Sequence, residues 1–191
     1  AENMGYLINN RALKLIGSLN PLEVSWNYGI TLTKNMNIGS RKANLVIDAF
    51  QTDFTHQWMV DMETASSVRF YSSPGASYST SLQAEFNYSP LKRFELKAAY
   101  RFQDVQADYI TEAGTLNRLS KPFLNRDRVL VNLAYATPYE IWKYDLTWQW
   151  NGSRRIPNAT VGHLHTASSP DVLAPAFSTV NAQITRQFKK W

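Results

Sequence analysis

One pattern constrains this chain more than any other: apolar and polar side chains alternate with a period of two, repeatedly, over runs of about ten residues. A strand sends successive side chains to opposite faces, so such runs read as sheet with one oily and one polar side. From Val24 the apolar set is Val24, Trp26, Tyr28, Ile30 and Leu32, set against Ser25, Asn27, Gly29, Thr31 and Thr33. From Tyr78 it is Tyr78, Leu82, Ala84, Phe86 and Tyr88, with Thr80 in step, against Ser79, Ser81, Gln83, Glu85 and Asn87. Phe94, Leu96, Ala98, Tyr100 and Phe102 oppose Glu95, Lys97, Ala99, Arg101 and Gln103. Trp142, Tyr144, Leu146, Trp148 and Trp150 oppose Lys143, Asp145, Thr147, Gln149 and Asn151.

Three further segments follow the rule less cleanly. Residues 43–55 carry Leu45, Ile47 and Ala49 on one face but Val46, Phe50 and Phe54 on the other. Residues 128–136 carry Val129, Val131, Leu133 and Tyr135; residues 177–188 carry Val180, Ala182, Ile184 and Phe188. That makes seven expected strands, and no segment has a helical period. Between them, short turns at 35–42, 89–92 and 137–141 alternate with long connections at 57–77, 110–126 and 152–176. Strands of about ten residues suit a tilted crossing of a bilayer, and short turns on one side with long loops on the other are the layout of an outer-membrane barrel.

Composition agrees with that layout. No stretch approaches the roughly 20 consecutive apolar residues a membrane helix needs, and mean hydropathy is -0.36. The chain has no cysteine, which excludes disulfides and thiolate metal sites. Aromatics make up 13%, and they fall into two groups. Phe86, Tyr88, Phe94, Tyr135, Trp142, Tyr144 and Phe188 lie towards the short-turn ends; Trp26, Tyr78, Tyr100, Phe102, Trp148 and Trp150 lie towards the long-loop ends. Two such belts are expected at the two membrane interfaces. The fold class expected is therefore all-β, an antiparallel up-and-down transmembrane β-barrel segment. Because a sheet in lipid cannot leave an edge open, and single-chain barrels use even strand counts, seven strands imply a piece of a larger barrel or one further strand, for which residues 6–16 are the candidate. Ala1-Glu2-Asn3-Met4-Gly5 lacks the features of a signal peptide.

Trp26 to Gly29, Asp48 to Phe54, Ser79 to Tyr88 and Trp148 to Gly152, in that order, together resemble segments of TonB-dependent outer-membrane receptors, especially those of Bacteroidota. Trp26-Asn27-Tyr28-Gly29, after Leu19-Asn20-Pro21, is similar to a strand start of that family. Asp48-Ala49-Phe50-Gln51-Thr52-Asp53-Phe54 resembles its D-x-Y-R-T-D-F strand, and Ser79 to Tyr88 with Pro90 and Arg93-Phe94 resembles one of its hairpins. Trp148-Gln149-Trp150-Asn151-Gly152 with Arg155-Ile156-Pro157 looks like its Q-W-N-G-x-x-R-L-P strand and loop. The resemblance spans nearly all of residues 1–191 and implies the later part of a 22-stranded barrel, with about 7–8 strands here and the plug domain and final strands outside the sequence. It further implies a place in the outer membrane of a Gram-negative bacterium, against lipid and lipopolysaccharide. The implied role is uptake of a scarce large solute (an iron chelate, cobalamin or a glycan), with a TonB complex acting through the plug.

The remaining candidates are weighed against plainer readings. His163 and His165 are the one close histidine pair, but no third ligand is fixed, so they are read as loop residues and no metal is expected. Asp53, Asp61 and Glu63 invite comparison with paired catalytic acids, yet nothing sets them in one pocket; no nucleophile motif or phosphate loop occurs, and neither an enzyme nor a cofactor is expected. Arg118, Lys121, Arg126, Arg128 and the Arg154-Arg155 pair fall in or beside long loops, which favours lipopolysaccharide or an anionic solute over nucleic acid. Asn151-Gly-Ser and Asn158-Ala-Thr match a glycosylation pattern by coincidence in a bacterial setting. Trp58, Arg154, Arg155, His163 and His165 are the expected ligand-contact residues. The competing functions are a soluble all-β carbohydrate-binding module and a passive porin-like barrel.

Overall fold

The structure, a computed structural model, describes residues 13–15, 22–63, 68–73, 75–111, 114–157 and 172–188. In chain order its strands are β1 (Leu13–Leu15), β2 (Val24–Ile38), β3 (Arg41–His56), β4 (Trp58–Asp61), β5 (Val68–Ser72), β6 (Ser77–Leu91) and β7 (Phe94–Ile110). They continue with β8 (Leu116–Ser120), β9 (Asp127–Ala136), β10 (Trp142–Asn151), β11 (Arg154–Arg155), β12 (Leu173–Ala174) and β13 (Phe177–Arg186). One large antiparallel sheet runs β2-β3-β6-β7-β9-β10-β13, with β8 added beside β7. Every wall strand pairs with its nearest wall neighbours in sequence, so the wall is an up-and-down meander. The seven expected strands are all present; the short β8, which joins the sheet beside β7, lies in a stretch expected to be loop.

Two of the three short turns are tighter than their sequence suggests, and the third keeps its expected bounds, 137–141. The expected turn at 35–42 narrows to Gly39-Ser40, because β2 and β3 run on to pair Ile38 with Arg41. Gly39 takes φ 62°, a left-handed conformation that costs glycine little. Arg93, between β6 and β7, takes φ 64° without that freedom.

The long connections also differ from expectation, since each contains strands. Residues 57–77 hold the hairpin β4–β5, residues 110–126 hold β8, and β11 pairs with β12 after the wall strand β10. Residues 6–16 do not supply a wall strand in the part described: Leu13–Leu15 runs parallel to β5 in the loop layer.

Register decides which side chains share a face, because directly opposed residues in an antiparallel ladder point the same way. One row crosses all seven wall strands as Leu32, Ile47, Ala84, Tyr100, Val129, Trp150 and Ser178. A parallel row nearer the turns is Met36, Ala43, Tyr88, Leu96, Leu133, Leu146 and Ala182. The alternating sets thus merge into one apolar face. On the other face one row reads Asn35, Asn44, Asn87, Lys97, Asn132, Thr147 and Asn181. Its groups bond one another: Asn44 donates to Asn35 at 2.8 Å, Asn132 to Asp145 at 3.0 Å, and Lys97 pairs with Glu85 at 3.0 Å. Hollows of about 670 and 480 Å³ are lined chiefly by side chains of this polar face.

The apolar face forms a band of limited height. Loopward of it the same face turns polar at Gln51 in β3, Thr80 in β6, Asp104 in β7 and Asp127 in β9. Tyrosines line that margin: Tyr28 donates to Asp53 at 2.9 Å, Tyr78 to Asp104 at 3.4 Å and Tyr100 to Asp127 at 2.6 Å. At the opposite margin the Arg186 guanidinium lies 5.1 Å from the Trp142 ring and 4.8 Å from Phe188.

This loopward margin is not parallel to the hydrogen-bond rows. The last apolar residue in regular register is Trp26 in β2, Val24 lying beyond a register shift, then Ala49, Leu82 and Phe102, then Val129 and Trp150, and finally Val180 in β13. Against the rows that is a slide of about eight residues over the six strand-to-strand steps, a little over one residue per strand. With a rise of about 3.3 Å per residue and strands about 4.8 Å apart, the strands cross the band at roughly 40°.

No second layer covers the apolar face among the described residues. Trp26 is 74% exposed, Ile30 60%, Val180 65% and Ile184 66%, and even Leu82 and Leu146, between paired strands, are 44% exposed. The buried apolar cluster lies elsewhere, in the loop layer: Met59, Tyr71, Ala107 and Tyr109, with Ile110 and Leu119 against it.

Candidate ligand-binding site

The longer wall strands carry the loop layer. β7 continues past the band, and its polar-face residues Val105, Ala107 and Tyr109 become the floor on which β4 and β5 pack. An apolar floor on the polar face explains why Met59 and Tyr71 fold inward over it.

Buried charges lock this layer. Asp61, fully buried, accepts from Arg69 at 2.5 Å and from the Tyr71 hydroxyl at 3.1 Å. Tyr71 in turn accepts from the Ile110 N–H at 3.0 Å, and Arg69 also donates to the Ile110 carbonyl. Burial pushes the Tyr71 phenol well above its ordinary value; the Ile110 N–H works against this and the Asp61 carboxylate with it. Arg155, 3% exposed, grips Glu63 through both terminal nitrogens at 3.0 and 2.6 Å, and donates to the Ser120 carbonyl at 2.7 Å. Asp61, Glu63, Arg69, Tyr71, Ile110, Ser120 and Arg155 are thereby tied into two linked clamps.

A two-lobed cleft opens between this layer and the wall, its lobes about 300 and 250 Å³. Gln57, Val105, Lys121, Pro122 and Phe123 line both lobes; Trp58 lines one, and Phe54, Ser79 and Gln103 line the other. Phe123 is 48% exposed and holds φ 61°, a left-handed backbone that a bulky side chain rarely adopts. Its N–H is pinned to the Arg155 carbonyl at 2.9 Å, so the Arg155–Glu63 clamp also holds the strained aromatic in place. Trp58 stacks on Phe70 with ring centroids 5.1 Å apart. The cleft offers flat rings, two amides, a hydroxyl and an ammonium.

The expected contact residues separate on this geometry. Trp58 lines the cleft. Arg155 is a buried clamp beneath it. Arg154 is half-buried, with its guanidinium 5.9 Å from the Phe177 ring. His163 and His165 lie outside the described residues. Asp61 and Glu63 are each engaged by their own arginine, and Asp53 accepts from Tyr28 and Gln51 on the apolar side of the sheet. Arg118 forms a two-pronged bond to Asp108, at 2.8 and 3.0 Å. Sequence reasoning missed Phe123 and Gln103. It did flag Phe54, an apolar residue on the polar side of its strand, and that anomaly is what lines the cleft.

Fold and site together define an antiparallel β-meander with an apolar face that no other described element covers and a clamped loop layer holding an aromatic cleft. The chain matches no protein-family model, and no curated protein is detectably similar to it in sequence.

Proposed function

We propose that the chain forms wall and mouth of part of an outer-membrane TonB-dependent receptor, which takes up a scarce large solute such as an iron chelate, cobalamin or a glycan. The observation that carries this reading is the inclined apolar band. A sheet that packs in water needs only a buried face. A barrel wall needs an apolar band of bounded height, crossed by strands tilted at about 35–45° and edged by amphipathic rings. The nine-residue bands from Phe94 to Phe102 and from Trp142 to Trp150 span about 23 Å at that tilt, close to a layer about 25 Å tall.

Magnitudes support it too. Each large apolar side chain moved from water into an apolar medium contributes about 1.5–3 kcal/mol, and soluble monomers rarely expose more than a few hundred Å² of continuous apolar surface. A soluble carbohydrate-binding module would leave this face in water. A passive pore would not need a clamped layer over its mouth. In this setting the loop layer is extracellular and the cleft is the solute's first contact.

Fractionation and uptake test the proposal together. The protein is expected in the outer membrane, and loss of its gene should abolish accumulation of one large solute while leaving small-molecule permeability unchanged. Recovery in the aqueous fraction, or equal loss of small-solute entry, contradicts it.

A further inference from the structure

Below the cleft, on the polar face, register places two arginines directly opposite each other: Arg101 of β7 and Arg128 of β9. Opposed side chains in an antiparallel pair have Cβ atoms about 5 Å apart, and like charges so placed repel. Both residues are exposed. Among the described residues no carboxylate pairs with either. Arg128 makes one long contact, 3.5 Å, to the Asn125 side chain. The acids in reach by register are engaged elsewhere: Glu85, diagonal to Arg101 on β6, pairs with Lys97 at 3.0 Å; Asp48, two strands away in the same row, accepts from Thr31 at 2.7 Å; and Asp127, beside Arg128 in sequence, accepts from Tyr100 on the opposite face. The same row carries Gln83 and Asn151 on either side of the pair. Two residues further along β7 is Gln103, which lines the cleft with Lys121, itself exposed and in no ion pair among the described residues.

We propose that Arg101, Arg128 and Lys121 form an anion-binding floor to the aromatic cleft, so that the site takes an organic anion: a carboxylate, sulfonate or phosphate joined to a flat apolar group. Opposed guanidiniums repel each other unless an anion lies between them, and each presents planar paired donors that match an oxyanion. Phe54, Trp58 and Phe123 supply the surface for the apolar part. This deepens the receptor reading by naming the chemistry of the solute, and it rests on that reading only for the direction of entry.

The test uses the whole receptor that carries this chain, in lipid vesicles, with two probes, naphthalene-2-sulfonate and neutral naphthalene-2-sulfonamide, followed by calorimetry and by tryptophan fluorescence. The anionic probe is expected to bind more tightly, with affinity falling as salt is raised. Arg101→Gln and Arg128→Gln should each weaken it about tenfold and leave the neutral probe unchanged, while Phe123→Ala weakens both. Arg128→Lys should restore only part of the loss. Because the glutamine variants remove a repulsion, they should fold at least as stably as the parent. Equal affinity for the two probes, or unaltered sulfonate binding in both glutamine variants, overturns the proposal. Failure of that receptor to enter vesicles, with sulfonate still selected in buffer, removes the membrane reading and leaves the anion site standing.

Discussion

Arg155 shows how much a single side chain can decide in this molecule. Its guanidinium closes on Glu63, its Nε bonds Ser120 and its carbonyl holds the Phe123 N–H, so three loop segments meet at one residue. Removing one partner of a buried pair typically costs about 3–5 kcal/mol, because the other charge is left stranded. Arg155→Ala should therefore loosen the loop layer: hydrogen exchange in β4, β5 and β8 accelerates, while the wall strands keep their protection. Pairing Arg155→Met with Glu63→Gln should recover most of that protection; no recovery would mean that the Ser120 and Phe123 bonds dominate. Tyr71 gives the layer a pH limit. Its folded pKa is raised above an unfolded value of about 10. Its contribution is therefore complete below pH ~10 and fades as pH rises towards the folded value. Absorbance at the tyrosinate band should show Tyr71 ionising late and together with loss of loop protection. Tyr71→Phe should remove that late step.

At the scale of single elements, the two faces of a strand should respond oppositely to the same change. Leu146→Arg places a charge in the apolar band of β10 and is expected to cost about 2–4 kcal/mol of folding free energy in vesicles, against under ~1 kcal/mol for Gln149→Arg on the polar face. Denaturant titration of tryptophan emission measures both. In the β6–β7 turn, Arg93→Gly should stabilise the wall by about 1 kcal/mol, since glycine accepts the left-handed conformation that Arg93 is forced into. Wall strands such as β6, β7 and β10 were legible from sequence because one period held across each of them and one face was uniformly apolar. β4, β5 and β8 were not. They are short, and what defines them is packing on Val105, Ala107 and Tyr109, residues distant in sequence. The clamp was hidden for the same reason: Glu63 and Arg155 are 92 residues apart, and no local pattern marks them as partners. The Arg101–Arg128 apposition likewise requires the register, which alternation alone leaves open by steps of two.

For the whole molecule, the sheet has two edges, β2 and β13, each with one wall neighbour among the described residues. In hydrocarbon such edges must be paired, since each unsatisfied backbone group costs several kcal/mol. The remaining strands of a closed barrel are the partners the proposed function assigns to them. Its central claim is that alternate side chains of the wall meet lipid and water, and the absence of cysteine makes single-cysteine spin labelling clean. Labels at residues 82, 83, 146 and 147, in the closed barrel that carries this chain, reconstituted into vesicles, are compared for collision with oxygen, which concentrates in lipid, and with a water-soluble nickel chelate. Positions 82 and 146 should favour oxygen and positions 83 and 147 the chelate, reversing with every residue. Equal accessibility at neighbouring positions, or labels at 82 and 146 shielded from both reagents inside a protein core, would contradict the account.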